Sequence, residues 1–177
     1  MSLTPRRQVY GGYQGKERPS EQERIMHLLD EYRCSEGFVA EYLGRWIELS
    51  GDEALKGGLQ TIREREAAHS RLLEARLRAL GGEPQATISP ERREQVWSLF
   101  ASAEKTDLEK LQTLAVLFAD PPDFMKPVTD LVEQIQEDQQ SRELLRTIVD
   151  DEWASIGWLV GMHNRRKNGE TTLANKK

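Results

Sequence analysis

The chain has 177 residues, enough for one domain with a sizeable core. Its formal net charge is −5, so it lacks the basic surplus of a protein that lives on phosphate contacts, and nucleic acid is not an expected partner. A single cysteine, Cys34, excludes an intramolecular disulfide and a Cys-rich metal site, and no run approaches the ~20 apolar residues that span a bilayer, so a cytoplasmic chain with no membrane partner is expected.

Residues 1–19 are polar, Gly-rich and without an apolar leader core, and read as a flexible arm. The first helix is expected from Ser20 to Leu49. Ser20 and Glu23 form an S-x-x-E capping box, and Leu29, Tyr32, Glu36, Val39, Leu43 and Trp46 recur at steps of three and four along one stripe. The second is expected from Glu53 to Leu80, with Ser50 and Glu53 as another capping box and Gly81-Gly82 as the stop; its stripe includes Leu55, Leu59, Ile62, Glu66, His69 and Leu73.

A third helix is expected to begin at Ser89-Pro90, where serine caps and proline fits the first turn, and to end before Pro121-Pro122. Its stripe runs through Phe100, Glu104, Asp107 or Leu108, Leu111, Leu114 and Phe118. A crossing loop and a short helix over 127–138 follow. The fourth long helix is expected over 141–167, with Leu145, Ile148, Glu152, Ser155 and Leu159 on one face, and 168–177 reads as a flexible tail. Four amphipathic helices bury their stripes best against one another, so the expected fold is all-α: an antiparallel four-helix bundle with an extra short helix between the third and fourth.

Leu59 to Leu73 (LQTIREREAAHSRLL) aligns without gaps to Leu145 to Leu159 (LRTIVDDEWASIGWL). Leucines and isoleucines match cheaply between amphipathic helices. The matched Glu66 and Glu152 do not, because an ionised carboxylate in a core costs several kcal/mol unless it is paired, ligated or protonated. Glu66 and His69 form an E-x-x-H pair whose side chains share one helix face. Such pairs are common in Glu-rich helices, but here every other long helix also carries a mid-stripe carboxylate: Glu36, Glu104 and Glu152. Carboxylates with one imidazole suit iron, manganese or zinc.

With these residues the chain resembles the ferritin-like superfamily of di-iron carboxylate proteins, including bacterioferritins and rubrerythrins, over residues 20–167. That resemblance implies a two-ion iron site held by Glu36, Glu66, His69, Glu104 and Glu152, redox activity toward oxygen or peroxide, and a homodimer; it names no small-molecule substrate. DDEWASIGWL is similar to the family's fourth helix, except that Ser155 stands where the family has a histidine. Serine is a poor ligand, so a water-filled open position, a single-ion site or a bundle serving only binding or assembly all follow from that departure. Asp107, one turn from Glu104, and Tyr32, one turn before Glu36, are candidates to support the ligands, with core packing the competing role for Tyr32.

Overall fold

A computed structural model describes residues 19–174, with side chains through Asn168. Six helices carry them: α1 (Glu21–Leu49), α2 (Glu53–Ala79), α3 (Pro90–Phe100), α4 (Asp107–Leu117), α5 (Pro121–Glu133) and α6 (Gln139–Ala174). No strand occurs among the described residues, as the composition implies. The arm expected over 1–19 lies outside them, apart from Pro19. α6 keeps helical backbone to Ala174, well into the stretch expected as a tail, whose last three residues lie outside. Among the described residues no helix is long and apolar enough to cross a membrane.

α1 starts where its capping box places it: Ser20 Oγ accepts from Glu23 N, and the Glu23 carboxylate accepts from Ser20 N at 2.8 Å. α2 starts differently. Asp52, not Ser50, caps it by accepting from Leu55 N at 3.1 Å, while Ser50 caps the C-terminus of α1. α2 ends at Gly81, whose φ of 85° is left-handed and favours glycine.

α1 and α2 run antiparallel: Gln22 reaches the Leu80 carbonyl at one end, Ser70 Oγ donates to the Arg33 carbonyl near the middle, and Gly44 faces Arg63 further along. α6 lies antiparallel along α2, from Arg76 and Asp138 at one end to Gly58 and Trp158 near the other. At one end Arg76 reaches Asp138 at 2.6 Å, Ser141 Oγ at 2.9 Å and Gln140 Oε1 at 2.8 Å. Burial alone raises the Asp138 carboxyl, but Arg76 and Ser141 outweigh it and hold it below its ordinary range. At the other end Trp158 lies flat on Gly58. A Cβ there would stand 1.8 Å from Trp158 Cζ2. Gly58→Ala should therefore destabilise by about 1–3 kcal/mol, lowering the melting temperature roughly 2–4 °C per kcal/mol; calorimetry measures it.

The third helix departs most from expectation. It breaks into α3 and α4 across residues 101–106. Ala101 ends α3, and Thr106 with Glu109 opens α4 through a capping box of its own. Asp107, at the start of α4, accepts from Trp46 Nε1 and Ser50 Oγ, each at 2.7 Å, which anchors α4 to the end of α1. The short helix also starts earlier than expected. Pro121 and Pro122 occupy the first turn of α5 behind the Asp120 cap, where proline loses no hydrogen bond. The connection after α5 is tied to α1 by the Glu21 carboxylate, which accepts from the backbone of Gln136 and Glu137.

The buried apolar side chains form two clusters. One gathers Ile25, Leu29, Leu73, Leu77, Met125, Leu145 and Ile148. The other gathers Phe38, Trp46, Leu55, Leu59, Phe100, Leu111 and Leu159. Along α1, α2 and α6 alike, the chain passes from one cluster to the other through buried polar side chains at mid-length: Glu36, then Glu66 and His69, then Ser155 beside Glu152.

Candidate metal centre

Glu36, Glu66, His69 and Glu152 meet in that layer. One ligand atom from each lies within 4.8 Å of the others. Three helices supply them at the register the apolar stripes set, because each residue continues a row of leucines and isoleucines facing inward. Glycine at position 37 lets α2 come close beside Glu36: a Cβ there would stand 3.1 Å from Ser70 Oγ.

Glu36 and Glu66 are each 3% exposed and His69 4%. Glu152 is more open, but its Oε1 is buried. Burial, then the neighbouring Glu36 and Glu152, push the Glu66 carboxyl well above the usual carboxylate range. Three carboxylates crowded in a core do not all ionise unless a cation joins them.

His69 is oriented for that cation. Its Nε2 pairs with Asp151 Oδ2 at 3.1 Å, and its Nδ1 is buried, makes no hydrogen bond and stands 3.9 Å from Glu36 Oε2. If Nε2 carries the proton, Nδ1 points a lone pair at the carboxylates. A carboxylate behind the remote ring nitrogen is the usual support of a metal-bound histidine, and losing it typically costs ten- to a hundred-fold in affinity. Asp151→Ala should weaken metal binding by about that factor while the helical spectrum holds; titration with Mn(II) or Zn(II) measures it. Burial lowers the His69 pKa, but Glu36 and Asp151 outweigh it and the net direction is up.

First-row divalent ions bind nitrogen and oxygen at about 2.0–2.2 Å, so donors across one ion stand up to ~4.4 Å apart. The 3.9 Å gap from Nδ1 to Glu36 Oε2 fits within that span, and the outer limit of 4.8 Å exceeds it by a few tenths of an ångström. Three carboxylates and one imidazole are hard-to-borderline donors suited to iron, manganese or zinc. The residues present fit a metal.

The remaining expected residues do not join the four-residue cluster. Glu104 is exposed in the 101–106 connection, with its backbone N–H on Ser102 Oγ, because no helix carries it inward. Asp107 is committed to Trp46 and Ser50; Trp46 is ten residues beyond Glu36, about 15 Å along the helix. Tyr32 packs partly buried against the first apolar cluster. Ser155 is buried beside the site, but its Oγ accepts from Arg65 Nη1 at 3.2 Å, and the same nitrogen donates to the Asp151 carbonyl. Arg65 thus turns inward to α6. The other two histidines stand outside the cluster: His27 is exposed and His163 pairs with Gln112 at 2.9 Å.

Three contributors escaped the sequence reading. Asp151 and Arg65 act across the α2–α6 interface, which one helix's periodicity cannot reveal. Their alignment in the internal repeat was the available signal: Arg65 stands opposite Asp151 and His69 opposite Ser155, and the fold joins His69 to Asp151 and Arg65 to Ser155. The third is Tyr42, six residues after Glu36 and so about 120° around the helix from it. Its phenol is pushed up by burial and by the charges of Glu66, Glu152 and Glu36, and stays protonated.

A cavity of about 240 Å³ opens against Glu36, Glu66 and Glu152, with Phe38, Tyr42, Val96, Phe100, Leu114 and Phe118 among its apolar walls. A wider groove of about 1010 Å³ near Asp107 and Arg166 contains none of the four cluster residues.

No family model, curated protein or solved structure matches the chain. Its own residues therefore carry the functional reading.

Proposed function

We propose that the chain is a metal-binding helical bundle of ferritin-like architecture, with α3 and α4 together forming the fourth side, and that it holds iron between Glu36, Glu66, His69 and Glu152; manganese and zinc suit the same donors. The observation that carries this is His69: a buried imidazole backed by Asp151, with a buried Nδ1 3.9 Å from Glu36 Oε2, in a cluster with three carboxylates. Iron bound there supplies redox chemistry toward oxygen or peroxide. The protein's part is to orient His69 through Asp151, to keep the Tyr42 phenol protonated beside the carboxylates, and to limit water through the apolar walls of the adjoining cavity.

The test begins with metal-free protein, loaded with Fe(II) under argon and desalted. Retained iron that is oxidised by oxygen or peroxide, and lost in His69→Ala, is expected. Protein that retains only trace iron, manganese and zinc after such loading refutes the proposal.

A second reading, a bundle that binds or assembles without turnover, is favoured by the solvent position of Glu104 and by the engagement of Ser155 with Arg65. It expects Glu66→Ala with His69→Ala to leave the biological activity intact. The same ferritin-like reading expects a homodimer through helix faces, which sedimentation at micromolar concentration tests, and a cytoplasmic setting in keeping with the lone Cys34.

A further inference from the structure

Resting on that reading of the site, we infer that the centre is built for one metal ion per chain, with the Arg65 guanidinium standing where a second ion would need its own ligands. Three observations lead there.

The first is compactness. Two ions in a shared site sit about 3.5–4 Å apart, and their donors, reaching ~2.1 Å beyond each ion, spread over roughly 7–8 Å. Here one donor atom from each of the four residues lies within 4.8 Å of the rest, a few tenths of an ångström beyond the span of one ion's shell and well short of that two-ion spread.

The second is asymmetry within the internal repeat. α2 offers Glu66 with His69 one turn later; α6 offers Glu152 with Ser155 one turn later. The contacts across the interface obey the repeat, each helix reaching the matching position of the other: His69 to Asp151, Arg65 to Ser155. In one half an acidic side chain supports an imidazole that faces the carboxylates. In the other half a basic side chain meets a hydroxyl. The exchange of chemical roles is complete: the metal-facing imidazole of His69 is matched by the Ser155 hydroxyl, and the supporting carboxylate of Asp151 by the Arg65 cation.

The third is that, among the described residues, none of the other sequence candidates or histidines replaces the missing imidazole on the Arg65 side. Glu104 is in solvent, Asp107 is held by Trp46 and Ser50, and His163 is held by Gln112. A second dication there would have no imidazole and would meet a guanidinium 3.2 Å from Ser155 Oγ. Like charges repel, and the effect is modest here because Arg65 is partly exposed and stands 3.9 Å from Asp151 Oδ1.

Mn(II) titration of the metal-free full-length chain tests this, with bound metal counted after desalting and the loaded protein examined by electron paramagnetic resonance. One equivalent, the hyperfine spectrum of an isolated Mn(II) ion and loss of both in His69→Ala are expected. Two equivalents with an exchange-coupled spectrum overturn the single-ion inference but leave the metal-binding proposal standing; no bound metal, or metal unaffected by His69→Ala, overturns both. Arg65→Met is expected to tighten binding of the one ion roughly five-fold, since a partly exposed cation near the site is removed. Unchanged affinity in that variant, with its helical spectrum intact, refutes the role given to Arg65.

Discussion

Replacing Glu66 with leucine is expected to make the metal-free protein more stable while abolishing its response to metal. Glu66 is 3% exposed, and burial with Glu36 and Glu152 beside it opposes its ionisation. Substituting apolar residues for buried charged groups stabilises by about 1–4 kcal/mol in comparable cases. A gain of about 1–3 kcal/mol is expected here, raising the melting temperature by roughly 2–4 °C per kcal/mol. Wild-type protein should instead gain stability only on adding metal, by about 2.7 kcal/mol at a hundred times the dissociation constant. Thermal unfolding with chelator and with Mn(II) measures both effects. A Glu66→Leu variant less stable than wild type in chelator would mean that the carboxylates form a satisfied structural network that asks for no cation.

The second large effect is the pH dependence of the metal-free protein. Glu66 titrates ordinarily near 4.5 and is raised in the fold. A raised carboxyl contributes stability that is fully present below the unfolded value and is lost as pH climbs through the folded one. His69, ordinarily near 6.5 and also raised, acts in the same direction: its protonated form is favoured by Glu36 and Asp151, and that contribution fades as pH rises. Metal-free stability should therefore decline from about pH 5 to pH 8, by up to ~1.4 kcal/mol per pH unit for each proton in play. On the acid side Asp30 and Asp138, both held below their ordinary 3.8, contribute stability above that value that is lost as pH falls through their lowered ones. Metal reverses the alkaline trend, because binding needs the deprotonated ligands and so tightens as pH rises. Urea unfolding at pH 5 and pH 8, with and without Mn(II), separates these slopes. Metal-free stability that increases over this range would contradict the crowding of carboxylates around Glu66.

Much of the centre was legible in the sequence because burying charge is costly. Glu36, Glu66 and Glu152 interrupt rows of leucine and isoleucine at helical spacing, and a carboxylate in such a row demands a partner. His69 followed from its place one turn after Glu66. The long helices were legible for the same reason, from continuous stripes with recognisable caps.

The break in the third helix was not, because Phe100, Leu111 and Leu114 keep helical spacing across it although the backbone does not. The Thr106 to Glu109 capping box marked the restart and outweighs periodicity, since a cap satisfies backbone N–H groups that an uninterrupted helix would already have bonded. An unbroken helix would carry Glu104 inward along that stripe; the restart at Thr106 leaves it in solvent. The pairing of His69 with Asp151 and of Ser155 with Arg65 depends on how α2 and α6 face each other, and that register exists only once both helices are packed.

A crystal of the Mn(II)- or Fe(II)-loaded chain, with anomalous scattering collected at the edge of that metal, addresses the central claim most directly. One anomalous peak is expected about 2.0–2.2 Å from His69 Nδ1 and from oxygens of Glu36, Glu66 and Glu152. No density among those four side chains, with the ion absent or bound only at surface carboxylates, would contradict it.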